Sequence, residues 1–258
     1  MKRHKYVFKF GGASIRDVDG IRNVAKILEQ YAADDLAVVI SASGKTTNHL
    51  EEVMEAYFNN TGELDSKLNL VKNHHKALMD GLFQPNDPVY KDVEDIYHEI
   101  DWIYDDRNST DYDFLYDQLV SLGELLSTRI VAAYLNSIGV QTHWADARKL
   151  VITDDTYRES QINWEETMAQ IRNSIQPLLS QGKIVLTQGF IGSTKEGHTT
   201  TLGREGSDFT AAIISYCLDA EKMFIWKDVE GVLTADPRMF KNVQKLSWLS
   251  YKEAIEMT

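Results

Sequence analysis

The chain has 258 residues, with 27 Lys or Arg against 39 Asp or Glu, which gives a formal net charge of −12. This acidic balance argues against a nucleic-acid surface held by counterion release, and no apolar run reaches the roughly 18 residues of a membrane span. Lys9 and the glycines after it interrupt the basic N-terminus before the apolar core of a signal peptide can form. The single Cys217 excludes an internal disulfide framework and a thiolate-rich metal site, and we assign no metal ligands. We expect a cytoplasmic globular protein with no nucleic-acid or membrane partner.

Strand and helix patterns alternate almost from end to end, which predicts an α/β fold built on a mainly parallel sheet. A strand over Tyr6–Phe10 ends at two glycines, and the next segment is an amphipathic helix that includes Val24 and Leu28. The later predicted elements are, in chain order, a strand over Leu36–Ser43, a helix from Asn48, polar helical sequence over 60–112 with a break at 84–88, one long helix ending near Gly139, strands around 140–146 and 183–192 with a helix over 163–181 between them, a hairpin arm over 198–203, a helix over Ser207–Leu218, a strand over Lys222–Val229 and a helix from Ser250. We expect one continuous domain over residues 1–258.

The first candidate site is the segment KFGGAS at positions 9–14, where the first strand ends. Gly11 and Gly12 expose backbone N–H groups with no Cβ in the way, and the following helix points its positive end at the same place, which suits a phosphate. Lys9 lies at the end of the strand, within reach of such a phosphate. The same pattern also fits a plain strand-to-helix turn with an exposed lysine.

A second hydroxyl-rich segment, SASGKTTN at positions 41–48, follows the second strand. Its Gly44-Lys45-Thr46 imitates the end of a Walker A loop, but Val39 stands where that motif requires a glycine, so a P-loop protein is disfavoured. Open α/β sheets nevertheless bind ligands at the carboxyl ends of their strands. The segment is therefore either part of a ligand site or a polar loop.

Glu124 lies on the long predicted helix but outside its leucine stripe, on a face that is half apolar. A carboxylate in that position is either solvated, as most helix glutamates are, or semi-buried and ready to pair with a cation such as a substrate ammonium. The solvated alternative is the commoner one.

The densest cluster is TTLGREGSD at positions 200–208. Ser207 is predicted to cap a helix that begins at Asp208, with backbone donors that suit an anion, and Arg204 adds a planar fork for a carboxylate or phosphate. Ordinary helix capping explains the serine and the aspartate but leaves the Gly-Arg-Glu-Gly run unexplained.

The last candidate segment, WKDVEGVLTADPR at positions 226–238, is a strand end followed by a turn-rich loop. Lys227 and Arg238 flank two aspartates there, so the loop is suited to cover a nucleotide. Acidic loops also occur without any ligand, and that alternative stays open.

Taken in order, these segments resemble those of the aspartate kinases of the amino acid kinase family. KFGGAS is similar to the family's KFGGTS, SASGKTTN to its SA…TN loop, TTLGREGSD to TTLGRGGSD and WKDVEGVLTADPR to its WTDV-G-TADPR segment, while LGE at 122–124 is identical. The resemblance implies a three-layer α/β/α sandwich with a mainly parallel central sheet. In it, an N-terminal part of about 1–180 binds the amino acid, and a C-terminal part of about 181–258 binds the nucleotide.

The resemblance also implies the reaction, which is ATP-dependent phosphorylation of the β-carboxylate of L-aspartate to 4-phospho-L-aspartate with Mg²⁺. This is the first step of the aspartate pathway to lysine, threonine and methionine. Lys9 and Asp208 would be catalytic, with Asp208 orienting Lys9 and the Mg²⁺ region. The implied substrate-binding residues are Ala42, Thr47, Glu124, Arg204 and Ser207, with Glu124 pairing with the ammonium and Arg204 holding the α-carboxylate. The implied ATP-binding residues are Lys9, Gly11, Gly12, Lys227, Asp228, Leu233 and Arg238.

The sequence departs from the family pattern in places. Glu205 replaces a usual glycine, Lys227 stands where threonine is common, and Leu233 stands where an aromatic residue often packs by the nucleotide. The chain stops in SYKEAIEMT, before a further nucleotide-contacting lysine and the regulatory ACT domains of the family. We therefore expect a truncated chain without feedback control of its own, taken from a full-length homodimer or higher homo-oligomer. Two alternatives remain: a related kinase acting on glutamate, acetylglutamate, UMP or carbamate, and a catalytically silent regulatory subunit.

Overall fold

The structure is a computed structural model that describes residues 3–101, 111–229 and 231–257. Contacts divide the chain into two compact units, Met1–Trp226 (unit 1) and Lys227–Thr258 (unit 2). The strands are β1 (Lys5–Phe10), β2 (Asp35–Ile40), β3 (Thr142–Ala145), β4 (Ile184–Gln188), β5 (Ile191–Ser193), β6 (Thr199–Thr201) and β7 (Lys222–Trp226). The helices are α1 (Val18–Gln30), α2 (Thr46–Phe58), α3 (Leu64–Leu82), α4 (Pro88–His98), α5 (Tyr112–Val120), α6 (Leu122–Ser137), α7 (Trp164–Ser180), α8 (Gly206–Leu218) and, in unit 2, α9 (Tyr251–Met257), with 3₁₀ turns over Gly12–Ile15 and Ala147–Lys149.

Unit 1 is built on a parallel sheet with the strand order β3-β4-β2-β1-β7. The inner strands read as nearly continuous apolar runs, as in the sequence LAVVI of β2, because both of their faces are buried. Strands β5 and β6 form a separate antiparallel pair. All five strands of the main sheet therefore present their carboxyl ends at one edge.

Alternate residues along the inner strands belong to two separate apolar clusters. One set packs against α1–α6 and the other against α7 and α8, because successive side chains of a strand point to opposite faces. Phe8, Val38 and Leu186 are members of the first cluster, and Val7, Val39 and Val185 are members of the second. The predicted three-layer α/β/α sandwich is confirmed.

The predicted long helix through the leucine stripe is wrong in one detail, because α5 and α6 meet at Ser121. Its backbone stays helical, at φ −57° and ψ −25°. Its hydroxyl donates to the carbonyl of Gln118 at 3.1 Å, and its own N–H lies 3.4 Å from the carbonyl of Asp117. A serine whose hydroxyl donates to a carbonyl of the preceding turn lengthens the backbone hydrogen bonds of the helix at that point.

The first predicted strand ends correctly at Phe10, but several later predicted strands run too long at their carboxyl ends. β2 stops at Ile40 and β7 at Trp226, while the predicted strand 183–192 is two strands that belong to different sheets. The chain turns between β4 and β5 at Phe190, whose φ is +70°. An apolar run shows that a segment is buried but not where pairing ends, and here the pairing ends at the loops that form the candidate site.

The predicted polar helical region over 60–112 contains α3 and α4, separated at the expected break, and its residues 102–110 lie outside the described residues. The helix predicted from Asn48 begins two residues earlier, at Thr46. No helix within 3–101, 111–229 or 231–257 combines the length and the apolar character needed to cross a bilayer.

Candidate functional site

The carboxyl ends of β1, β2 and β4 are joined to one another by backbone hydrogen bonds beyond the regular ladder. The N–H of Ser41 donates to the carbonyl of Phe10 at 3.2 Å, and the N–H of Gly189 donates to the carbonyl of Ile40 at 3.0 Å. The N–H of Gly44 donates to the carbonyl of Gly12, also at 3.0 Å. The loops after β1 and β2, which carry two of the predicted motifs, therefore form one surface with the loop after β4 at the edge of the sheet.

Lys9 and Asp208, which are distant in the sequence, form an ion pair on this surface. Lys9 lies on the same face of β1 as Val7, beneath α8, and Asp208 lies in the first turn of that helix. The Nζ of Lys9 is 2.6 Å from Oδ1 of Asp208, and the lysine side chain is only 10% exposed. A lysine this deeply buried needs a carboxylate partner, and the pair fixes its ammonium at the strand end.

The two glycines after Lys9 have different structural roles. A Cβ on Gly12 would lie 2.3 Å from the carbonyl oxygen of Ala42, so only glycine allows the loops after β1 and β2 to approach this closely. A Cβ on Gly11 would instead lie 3.8 Å from Nζ of Lys9. Gly11 thus leaves open space beside the ammonium.

The helix that follows these glycines does not begin where the sequence predicts. The glycines lead into the short 3₁₀ turn, and α1 begins only at Val18. Its N-cap is Asp17, whose carboxylate already accepts a hydrogen bond from the N–H of Gly20 at 2.8 Å. The positive end of α1 is therefore balanced by its own cap, and the free donors at the glycine loop are backbone amides.

Glu124 is buried, at 3% exposure, in the first turn of α6. Its Oε1 accepts a hydrogen bond from the N–H of Ala42 at 3.2 Å, while Oε2 has no hydrogen-bond partner within the described part of the chain. Burial raises the pKa of Glu124 to about 8. The solvated alternative is wrong, and the arrangement is that of a carboxyl group ready for a cation or a donor.

The loop after β2 contains contacts that sequence analysis missed. The hydroxyl of Ser43 donates to the carbonyl of Ile15 at 2.7 Å and lies 2.9 Å from Nε2 of His74, so that nitrogen carries the proton. Burial lowers the pKa of His74, and the nearby His49 lowers it further. Of the two predicted contact residues in this region, Ala42 in the loop is buried and Thr47 in the first turn of α2 is half-buried.

Ser207 is not the N-cap of α8, which corrects the prediction. The helix begins at Gly206, and its N-cap is Glu205 in a left-handed conformation with φ +59°. Ser207 lies in the first turn against Gly189, where a Cβ would come within 2.5 Å of the serine Cβ. Ser207 therefore lies inside the helix, packed closely against the loop after β4, rather than at the cap.

Arg204 lines a cavity of about 380 Å³ together with Gln161, Leu202 and the exposed Phe209. The arginine is exposed, and no hydrogen bond or ion pair joins its guanidinium to another residue of the described ranges. The structure thus leaves this cation free, but it does not pair it with the Lys9–Asp208 site.

The remaining predicted nucleotide-binding residues all lie in unit 2. Lys227 and Asp228 are exposed, and Leu233 is half-buried in an antiparallel bridge with Lys245. The guanidinium of Arg238 is held by the carboxylate of Asp236, with N–O distances of 3.1 and 2.7 Å.

No group of three or more His, Cys, Asp or Glu side chains among residues 3–101, 111–229 and 231–257 is arranged to hold a metal ion. Asp117, a fully buried carboxylate of α5, was not predicted as a site residue from the sequence. A lone helix aspartate gives no signal of this kind, because most are solvated.

Comparison with known proteins decides the family. The family model described as the amino acid kinase family matches residues 4–258. The chain belongs to this family. It is 36% identical over 251 residues to the lysine-sensitive aspartokinase 3 of Escherichia coli K12, covering 97% of this chain and 55% of that protein. It is 33% identical over 257 residues to the chloroplastic aspartokinase 1 of Arabidopsis thaliana, covering 97% and 45%.

Similarity to a solved structure supports the same family assignment. The crystal structure of E. coli aspartokinase III in complex with aspartate and ADP, in the R state, superposes with a TM-score of 0.89 at 34% identity, covering 98% of this chain and 56% of that one. The chain thus spans about half the length of the relatives it matches.

Proposed function

We propose that this chain carries the catalytic part of an aspartate kinase, which transfers the γ-phosphoryl group of ATP to the β-carboxylate of L-aspartate. The observation that carries the proposal is the Lys9–Asp208 ion pair at the end of β1. It lies beside two glycines and next to the loop after β2, whose Ala42 N–H donates a hydrogen bond to Glu124. Its support from known proteins is the aspartokinase III structure, whose ligands are aspartate and ADP.

In this proposal the amino acid is held at both of its charged ends. The unpartnered Oε2 of Glu124 takes the substrate ammonium, and Ala42 and Thr47 contact the substrate beside it. The free guanidinium of Arg204 takes the α-carboxylate, with Ser207 beside it, as a planar fork suits a carboxylate. A free α-amino acid satisfies both groups, whereas UMP and carbamate have no ammonium for Glu124.

The chemistry follows from charge. A β-carboxylate with a pKa of about 3.9 is ionised at neutral pH, so the nucleophile needs no general base. The obstacle is the approach of an anion to a polyphosphate, so the residues of the site must align the reactants and offset their charge. Lys9 and the amides of Gly11 and Gly12 donate to the transferring phosphoryl group, and Asp208 keeps the Lys9 ammonium aimed at it.

Magnesium fits this site as a companion of the nucleotide. The described residues offer no protein cage, and Mg²⁺ commonly keeps water and phosphate oxygens as its main ligands. When bound, it offsets phosphate charge, and Asp208, whose Oδ1 pairs with the Lys9 ammonium, places a carboxylate at this site. Lys227, Asp228, Leu233 and Arg238 would bind the rest of the nucleotide.

The whole protein would act in the cytoplasm as a homo-oligomer on the route from aspartate to lysine, threonine and methionine.

The test is to incubate the 258-residue chain with Mg-ATP, L-aspartate and hydroxylamine, which converts an acyl phosphate into a stable hydroxamate. Aspartyl hydroxamate should form in proportion to ADP. Glutamate, N-acetylglutamate, UMP and carbamate serve as competing substrates in parallel reactions. A faster reaction with one of these compounds would identify that compound, rather than aspartate, as the substrate. A chain that binds neither Mg-ATP nor aspartate by calorimetry would instead support the silent-subunit alternative.

A further inference from the structure

Asp117 is a fully buried carboxylate of α5 whose partners are all hydrogen-bond donors from distant segments. Its Oδ1 accepts from the hydroxyl of Thr201 at 2.7 Å, and its Oδ2 accepts from the backbone N–H groups of Thr201 at 2.8 Å and Arg158 at 2.9 Å. Burial raises the pKa of Asp117, while these donors lower it. One side chain therefore joins α5 to β6 and to the loop around Arg158.

The next residue of α5 extends this connection. The side-chain amide of Gln118 donates to the carbonyl of Thr199 at 2.8 Å and accepts from the N–H of Thr199 at 3.2 Å. The carbonyl of Thr201 accepts in turn from the N–H of Ser160 at 3.0 Å. The side of β6 that faces away from β5 is thus paired by helix side chains and a loop amide.

The segment held in this way leads directly to the predicted carboxylate clamp. Arg204 follows Thr201 by three residues, through Gly203, whose φ of +74° turns the chain. A Cβ on Gly203 would lie 3.2 Å from the carbonyl oxygen of Arg158, so the turn packs against the same loop that Asp117 binds. The position of the arginine on the cavity wall therefore depends on where Asp117 holds β6 and this loop.

The same helix also leads to the ammonium site. α5 continues through Ser121 with helical backbone into α6, whose first turn carries Glu124. We propose that Asp117 is a positioning residue of the amino acid site, which sets the separation between Glu124 and Arg204 and so the fit of an α-amino acid. The inference rests on the proposed function for its substrate, whereas the contacts that carry it are independent of that function.

The contacts specify which substitutions separate positioning from folding. Asp117→Asn can keep both backbone bonds through its oxygen and donate its amide to the Thr201 hydroxyl, so this variant should stay within about threefold of the wild type. Asp117→Ala leaves three donors without an acceptor. Thr201→Val removes only the hydroxyl bond and is the milder probe. Thr200→Val is its matched control, because the Thr200 hydroxyl is equally buried but bonds to the hydroxyl of Thr153 at 2.7 Å instead.

The experiment measures steady-state kinetics and amide hydrogen exchange on the four variants and the wild type. We expect Thr201→Val to raise the aspartate KM about tenfold with the ATP KM within about twofold, and Asp117→Ala to raise it further. Amide exchange at residues 158 and 202–204 should become faster in Thr201→Val and in Asp117→Ala. Asp117→Asn should have an aspartate KM and exchange rates close to those of the wild type. Thr200→Val should change neither, whatever stability it loses.

Equal shifts in the aspartate KM for Thr200→Val and Thr201→Val, or none for Thr201→Val, would overturn the inference. If the wild type phosphorylates no aspartate, the proposed function fails, and the exchange data then decide the positioning role. Faster exchange at 202–204 confined to the Asp117→Ala and Thr201→Val variants supports it. An equal response in Thr200→Val refutes it.

Discussion

Glu124 is a carboxyl group that the fold buries without a cation to balance it. The N–H of Ala42 donates to one of its oxygens, and its second oxygen has no partner among the described residues. Lys9, by contrast, is buried together with its counter-charge, Asp208. Lys9 at the end of β1 is thus a balanced base, whereas Glu124 in the first turn of α6 is an unbalanced acid, which is the arrangement that the proposed binding of a substrate ammonium requires.

Replacing Lys9 should affect turnover more than substrate binding. Lys9→Met keeps an unbranched chain but loses the ammonium, so we expect kcat to fall by about 100-fold or more while the aspartate KM changes little, because the phosphate charge that we propose Lys9 offsets grows in the transition state. Lys5→Met is the matched control. It removes a lysine from the opposite end of the same strand, where Nζ donates to the carbonyl of Leu218 at 2.7 Å. A kcat for Lys9→Met equal to that of the control would contradict the catalytic role.

Glu124 should leave a signature in the pH dependence of stability. Burial raises its pKa from 4.5 to about 8, so the folded protein keeps a proton that the unfolded chain releases between these values. The contribution of Glu124 to the free energy of unfolding therefore falls as pH rises from about 4.5 to about 8 and is constant outside that window. The side chain of the Glu124→Gln variant cannot ionise. The free energy of unfolding of this variant in urea should therefore rise relative to that of the wild type as pH increases across this window. Parallel pH profiles would show that Glu124 is not desolvated.

For individual residues, the sequence predicts those whose neighbours in the chain form a recognisable motif. Lys9 was identified because two glycines follow it at a strand end, and Asp208 because its segment resembles a family motif. Asp117 was not identified, since its acceptor role depends on Thr201 and Arg158, which are distant in the sequence. The burial of Glu124 could not be predicted either, because a half-apolar helix face suits a solvated glutamate equally well.

At the scale of the elements, the site depends on how closely loops approach one another at the ends of parallel strands. Three loops exchange backbone hydrogen bonds there, and a glycine stands where two of them meet. The types and order of the elements were predicted from periodicity. Several of their ends were not, because Ser121 and Glu205 act through local hydrogen bonding and a left-handed backbone rather than through hydrophobic pattern.

Gly12→Ala tests this close approach. The added Cβ would lie 2.3 Å from a backbone oxygen that cannot move without shifting the loop after β2. We expect a loss of about 1–3 kcal/mol in the free energy of unfolding, typical of overpacking, together with weaker aspartate binding. Gly139→Ala is the comparison, because its φ is +88° but nothing lies within 4 Å of the added Cβ. Denaturant unfolding and calorimetry should show lost stability in both variants and weaker binding only in Gly12→Ala.

At the scale of the whole molecule, the two units differ in how they are packed. Unit 1 has an apolar cluster on each face of its sheet, whereas no described residue of unit 2 is buried. The alternation of apolar residues predicted the sandwich of unit 1. It could not predict unit 2, where apolar residues such as Trp248 and Ile255 are 76% exposed.

Amide hydrogen exchange should report this difference. Amides of β1, β2 and β4 should exchange only through global unfolding, because both faces of these strands are buried. Amides of residues 231–257 should exchange orders of magnitude faster, through low-energy local opening. Mass spectrometry of peptides from the exchanged protein measures both regions in one experiment. Equal protection of the two units would show that unit 2 has a core of its own in solution.

The helix side chains along β6 have a consequence for self-association. A short strand with open N–H and C=O groups is a template for pairing with a second molecule, and such pairing begins many aggregates. On β6 those groups are already taken at Thr199 by an amide side chain and at Thr201 by a carboxylate and a loop amide. A foreign strand would have to displace a buried acid to attach there, so the contacts that hold the hairpin in place also guard it against intermolecular sheet growth.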